Sequence, residues 1–310
     1  MEKRKIGSLE VSIIGIGCNN FGGRIDEART DEVCNTALDN GINFFDTADV
    51  YGATKSEEFM GRVLKARRDE AVIATKFGMK LDDDHPGGAS PDYVRSAVED
   101  SLRRLDTDRI DLFQLHRPDA SVPIADTLGA LGELVEAGKL LEIGCSNFSV
   151  DQLREAEAAV GAGKPKFVSV QNDYSLLKRG ADLDVLPECA AAGLAFLPFF
   201  PLFSGLLTGK YRRNEPLPEG SRLTAAPPER QASAFTERNY EIVENLTAFA
   251  EKRGHTILDL AFARLLAYPA IPSVIAGATS GEQVRANAAT AGWVLSADEI
   301  AEVDRLAPVG

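Results

Sequence analysis

Asp46, Tyr51, Lys76 and His116 are the residues of this sequence whose types could do chemistry together. A phenol titrates near pH 10 and is a poor acid at neutrality unless a neighbouring cation stabilises its phenolate. Lys76 is the candidate cation, and Asp46 would hold its ammonium in place and keep it charged in a partly desolvated setting. Tyr51 could then give a proton to an oxygen becoming an alkoxide while His116 hydrogen-bonds the same oxygen, which is the chemistry of carbonyl reduction. Ser146, Asn147 and Gln171 offer the donors and acceptors that a nicotinamide carboxamide requires, and Phe199 offers a flat face for its ring.

Taken singly, each of these residues has a plainer reading. A strand-end aspartate caps a turn, a lysine extends to solvent, and a lone histidine is hydrogen-bonded in the core. The spacing argues otherwise. Asp46, Lys76, His116, Ser146, Gln171 and Phe199 each close an apolar run, at separations of 30, 40, 30, 25 and 28 residues, about one strand-and-helix unit apiece.

Those runs are "IIGIGC", "INFFD", "AVIATK", "IDLFQLH", "LEIGCSN", "FVSVQND", "LAFLPFF" and "PSVIAGA". Amphipathic segments such as "TDEVCNTALDN", "SPDYVRSAVEDSLRRL" and "IADTLGALGELVEAG" lie between them, bounded by Gly41, by Ser90 and Pro91, and by Gly138. The pattern predicts one α/β domain over residues 1–310, a (β/α)8 TIM barrel preceded by a β-hairpin from "KRKIG" and "EVSII". An open doubly wound sheet would carry a G-x-G-x-x-G turn after an early strand, and "GIGCNNFGG" lacks that spacing. In a (β/α)8 barrel the active site lies on the C-terminal rim, where all the residues above fall.

After the seventh barrel strand, residues 201–236 contain "RRNEPLPEGSRLTAAPPERQ". This is too long for a plain connection and reads as a lid-like loop. With no long tail after "LSADEIAEVDRLAPVG", Asn19, Asn20 and the loop after Gly78 are the expected pocket walls, open enough for broad acceptance of small aldehydes.

Composition narrows the function further. The formal charge of −13 disfavours nucleic acid and anionic membranes as partners, so any phosphate-bearing ligand must find a local positive site. No run approaches the ~20 apolar residues of a membrane span, and "MEKRKIGSLEV" lacks a signal-peptide core, so a cytoplasmic protein is expected. Cys18, Cys34, Cys145 and Cys189 form no C-x-x-C pair, and the three histidines are too scattered for a metal-dependent hydrolase, so no metal is expected.

Eight fragments in order, "IGCN", "FFDTADVYG", "ATKFG", "LFQLHRPD", "IGCSNFS", "VQNDYSLL", "PLFSGLLTGKY" and "GATSGEQVRAN", resemble the aldo-keto reductase superfamily over nearly the whole chain. The resemblance implies an enzyme reducing aldehydes or ketones with a nicotinamide dinucleotide, Asp46, Tyr51, Lys76 and His116 being catalytic. It implies that Gly17, Cys18, Asn19, Leu202, Ser204, Gly205, Leu206, Lys210, Gly277, Thr279, Gln283 and Asn287 join Ser146, Asn147, Gln171 and Phe199 around the cofactor. A cofactor-sensing, non-catalytic subunit of the same barrel is the alternative. Two departures stand out: Phe199 replaces a common tyrosine, and the stretch Gly277 to Gln283 carries no lysine or arginine. The resemblance implies that NADP(H) is preferred, and the missing cation leaves NAD(H) usable. The 2′-phosphate would rest on free N–H groups at the start of "GEQVRANAATAG", capped by Thr279 or Ser280, with Arg285, off that face by its spacing, and Lys210 as the nearby charges.

Overall fold

Short apolar runs with period-two alternation build the frame. The computed structural model describes residues 1–161 and 164–309. Its chain opens with β1 (Lys3–Ile6) and β2 (Leu9–Ser12), an antiparallel hairpin turning at Gly7 and Ser8. Eight parallel strands follow: β3 (Ile14–Gly17), β4 (Phe44–Asp46), β5 (Val72–Phe77), β6 (Ile110–Leu115), β7 (Leu140–Ser146), β8 (Phe167–Asp173), β9 (Ala195–Phe199) and β10 (Val274–Gly277). Each of β4 to β9 pairs with its predecessor in sequence, and β10 pairs with β3, the strand order of a (β/α)8 barrel. β9 and β10 lie side by side without a ladder, leaving one seam in the expected closure. β10 is short, and Pro198 of β9 has no N–H to give.

Alternation decides what faces where. Ile16, Phe45, Ile73, Phe113, Ile143, Val170 and Phe196 point outward into the main core beneath the helices. Phe44, Ala74, Leu112, Leu197 and Ile275 point inward and pack with Ile6, Leu9 and Val11 of the hairpin, which thereby plugs the N-terminal end of the barrel. The next inward layer toward the C-terminal rim contains Asp46, Lys76 and Gln114, two residues beyond Phe44, Ala74 and Leu112.

The helices are α1 (Glu27–Asp39), α2 (Lys55–Leu64), α3 (Pro91–Leu105), α4 (Ile124–Glu136), α5 (Val150–Ala159), α6 (Val185–Ala192), α7 (Pro228–Ala234), α8 (Glu237–Glu251), α9 (Ile257–Leu266), α10 (Gly281–Ala289) and α11 (Ala297–Leu306). Their starts are set locally: Asp26, Ser90, Thr236 and Ser280 accept from first-turn amides, and Ser149, Thr256 and Ser296 form reciprocal capping boxes. The segment 201–236 is not a plain loop. It holds a 3₁₀ stretch at Phe203–Thr208 and all of α7. No helix among the described residues is long and apolar enough to cross a membrane.

Candidate active site

At the C-terminal end of β4 and β5, Lys76 is fully buried and donates to Asp46 Oδ2 at 2.7 Å and to the Thr47 carbonyl at 2.8 Å. The other oxygen of Asp46 accepts from Gln171 Nε2 at 2.8 Å and from Gln114 Nε2 at 3.2 Å. A buried ion pair is tolerable only when its remaining hydrogen-bonding capacity is met, and here it largely is. Gln114 is absent from the residues named in sequence; the signal was its place in "FQLH", two before His116 and on the same face as Leu112.

Tyr51 comes next to this pair on a tight turn. Gly52, Ala53 and Thr54 all have left-handed φ of 60°, 52° and 73°. A side chain at Gly52 would bring its Cβ within 2.5 Å of the Phe21 carbonyl, so glycine is required where this turn meets the loop after β3. Strain of this kind, ~1–2 kcal/mol for each non-glycine residue, is held at sites that need a side chain aimed. The ring of Tyr51 lies 6.1 Å from that of His116, edge to face, and 5.2 Å from Lys76 Nζ.

Electrostatics assign the protons. Burial pulls the Lys76 ammonium down, but Asp46 and the Tyr51 hydroxyl outweigh it and leave the lysine above its ordinary value. Burial raises the Tyr51 phenol, and Lys76 acts against that rise, so the phenol keeps its proton in the free protein. For His116, burial, then Lys76 and Arg117, lower the imidazole to about 3, so the ring is neutral at physiological pH.

Asp49 is a buried acid that is also absent from the residues named in sequence. Its amide donates to the Lys76 carbonyl at 3.1 Å, and its Oδ1 has no partner. Burial first, then Glu57, push its carboxyl up to about 7. An unfolded aspartate titrates near ~3.9, so the folded state binds this proton more tightly, and stability falls as pH rises from ~4 to about 7. Asp49→Asn is expected to flatten that slope and to raise the melting temperature at pH 8. An unchanged pH dependence of melting would refute this account.

These groups open into a cleft of about 760 Å³. Asp46, Tyr51, His116, Ser146, Asn147, Gln171 and Phe199 line its barrel side, and Gly17, Asn19, Leu202, Ser204, Gly205, Lys210, Gly277, Thr279, Gln283 and Asn287 line its length. Ser146 Oγ donates to the Gln171 carbonyl and accepts from Asn147 Nδ2, which also donates to the His116 carbonyl. Gln171 spends its Nε2 on Asp46, which leaves its Oε1 as the atom available to a carboxamide.

Three of the residues named from the sequence do not line the cleft, the fully buried Lys76 among them. The side chains of Cys18 and Leu206 are fully buried in the main core, so only their backbones could meet a ligand. The loop after Gly78 is not a wall either, because it folds back on itself through Leu81 to His85 and Gly88 to Gly78. Arg24, Arg117, Phe200 and Arg222 line the cleft without having been named, and Phe200 packs edge to face on Phe199 at 5.3 Å. Arg222 stacks on Phe200 with its guanidinium 5.2 Å from the ring, and Arg24 reaches over to the Gly220 carbonyl at 2.9 Å.

Besides His116 Nδ1, two buried polar atoms of cleft-lining residues, Asn20 Oδ1 and Asn287 Nδ2, have no protein partner. An extended polar ligand would satisfy them, which fits a dinucleotide. The start of α10 departs from expectation. Ser280 caps it as predicted, but the Thr279 amide donates to Gln283 Oε1, the Gly281 amide to Glu32 Oε1 at 3.0 Å, and the Gln283 amide to Ser280 Oγ. The N–H groups read as free for a 2′-phosphate are largely taken by the protein's own acceptors.

A family model described as the Aldo/keto reductase family matches residues 13–308. The chain is 36% identical over 321 residues to a Glycine max protein named probable aldo-keto reductase 1, with 99% of this chain and 89% of that one aligned. It is 33% identical over 306 residues to aldo-keto reductase YhdN of Bacillus subtilis, covering 96% and 90%. Among solved structures, the holo form of an aldo-keto reductase from Bacillus halodurans superposes with a TM-score of 0.83 at 31% identity, over 100% of this chain and 97% of that one.

Proposed function

The chain belongs to the aldo/keto reductase family, and from that premise we propose that it reduces aldehydes or ketones to alcohols at the Tyr51 hydroxyl. One observation carries the reading: a buried Asp46–Lys76 ion pair lies beneath a protonated phenol, with a neutral imidazole facing the same cleft.

The chain's own groups divide the work. Lys76 stabilises the phenolate left when Tyr51 gives up its proton, and Asp46 with Gln114 and Gln171 keeps Lys76 in place. Neutral His116 donates a hydrogen bond to the carbonyl oxygen and orients it toward Tyr51. Ser146, Asn147 and Gln171 hold a carboxamide and Phe199 backs the attached ring, while Lys210 and Arg222 are the cations facing the linking phosphates. A bound reduced nicotinamide supplies the hydride. The intact acid, ion pair and imidazole favour turnover over a purely cofactor-sensing role.

Mixing the protein and a reduced nicotinamide dinucleotide with a panel of aldehydes, followed by loss of nicotinamide absorbance, tests the proposal. Turnover of none of them, with the dinucleotide bound, would overturn it. A second expectation concerns pH. With His116 held at about 3, the rate of reduction should show no step near the ordinary histidine value of ~6.5. A clear step there that disappears in His116→Gln would show that the imidazole titrates during catalysis.

A further inference from the structure

The adenosine end of the cleft decides which dinucleotide fits, a question that rests on the reductase reading above. Thr279, just before α10, and Glu282, Gln283, Ala286 and Asn287 on it line the cleft. Asn287 is buried, and its Nδ2 is a donor waiting for an acceptor. Glu282 is exposed and belongs to no ion pair among the described residues.

An incoming 2′-phosphate would need cations or free amides. With the amides of Thr279, Gly281 and Gln283 committed, those of Ser280 and Glu282 are left at this end. The acceptor on Gly281 is itself a carboxylate, reaching across from α1, where it also pairs with Arg29 at 2.6 Å. It is ionised: the Gly281 amide and then Arg29 hold Glu32 below the ordinary carboxylate range. Glu32 therefore occupies the positive end of α10 that a phosphate would otherwise use.

No lysine or arginine lines the cleft on α10 to compensate. Arg285 flanks Gly281 on the side of Glu32 and Thr36 and does not line the cleft. Lys210 lies against Gly205, and Arg222 is stacked on Phe200.

We propose that this chain is built for NAD(H): Glu282 accepts a hydrogen bond from the ribose 2′-hydroxyl, and Glu282 together with Glu32 repels a 2′-phosphate. A carboxylate at the ribose is the common physical solution for choosing the hydroxyl, because it can only accept, and a phosphate offers it only like charge. This is the opposite of the NADP(H) preference that the family resemblance implies.

Titration calorimetry on the full, coenzyme-free chain with NAD⁺ and NADP⁺ tests this without turnover. NAD⁺ is expected to bind about tenfold or more tighter, equivalent to about 1.4 kcal/mol. Glu282→Gln should strengthen NADP⁺ several-fold, and Thr279→Arg should do so further, shifting the NADP⁺/NAD⁺ affinity ratio in the same direction. Lowering the pH toward 5.5 should narrow the wild-type gap, because a phosphate sheds part of its second charge below ~6. Equal or tighter binding of NADP⁺ by the wild type would overturn the assignment and leave the reductase reading standing. An affinity ratio unmoved in Glu282→Gln would remove Glu282 as its cause. Failure of both dinucleotides to bind would overturn the reductase reading, and this inference with it.

Discussion

Tyr51→Phe is expected to cut turnover by ~10²–10⁴-fold, the range that a positioned general acid typically contributes, while dinucleotide affinity stays within about twofold. The substitution removes one hydroxyl and keeps the ring that packs edge-on to His116 and lies over Lys76. The left-handed turn at 52–54 is untouched, so the fold should not change. Steady-state rates alongside calorimetric binding separate the two effects. Wild-type turnover in the Tyr51→Phe variant would sink the mechanism. Equal losses in rate and in dinucleotide affinity would move Tyr51 from proton transfer to binding.

Lys76→Met is expected to produce the second large effect, on both stability and rate. It leaves Asp46, 5% exposed at its side chain, as a buried charge with glutamine donors but no cation, a loss of ~3–5 kcal/mol for a broken buried pair. Denaturant melts would read this directly. The pH dependence has a definite sign. A lysine whose folded value is raised contributes stability that is complete below the unfolded value of ~10.4 and is lost as pH climbs through the folded one. Wild-type stability should therefore fall at strongly alkaline pH, and the methionine variant should lack that component. Joining Asp46→Asn to Lys76→Met removes the orphaned charge and should recover most of the stability while turnover stays low. Recovery of turnover in the double variant would show that the pair is structural scaffolding alone.

Much of the architecture was legible because it follows from short-range periodicity. Period-two alternation in "FFD", "IATK" and "FQLH" puts Asp46, Lys76 and Gln114 on the inner face of neighbouring strands, and repeated strand-and-helix spacing puts them on one rim. The helix starts at Ser90 and Ser280 were likewise readable, since each acts on an amide within its own first turn. The lid-like segment was legible only as an irregular length of chain; its 3₁₀ stretch and α7 were not, because Gly, Pro and charged residues there carry no sustained period.

By itself, then, the sequence determined the barrel order, the inward faces and the candidates Asp46, Tyr51, Lys76 and His116. Tertiary structure decided what surrounds them. Gln171 reaches Asp46 across 125 residues of chain, Asp49 is buried beside Glu57, and the side chains of Cys18 and Leu206 turn into the core. The occupied start of α10 has the same origin. Glu32 takes the Gly281 amide across 249 residues, and no local pattern in "GATSGEQVRAN" announces an acceptor from another helix. Periodicity is set by neighbours in the chain, whereas the partner of a given N–H, and the pKa of a given acid, depend on which distant groups packing brings within a few ångströms.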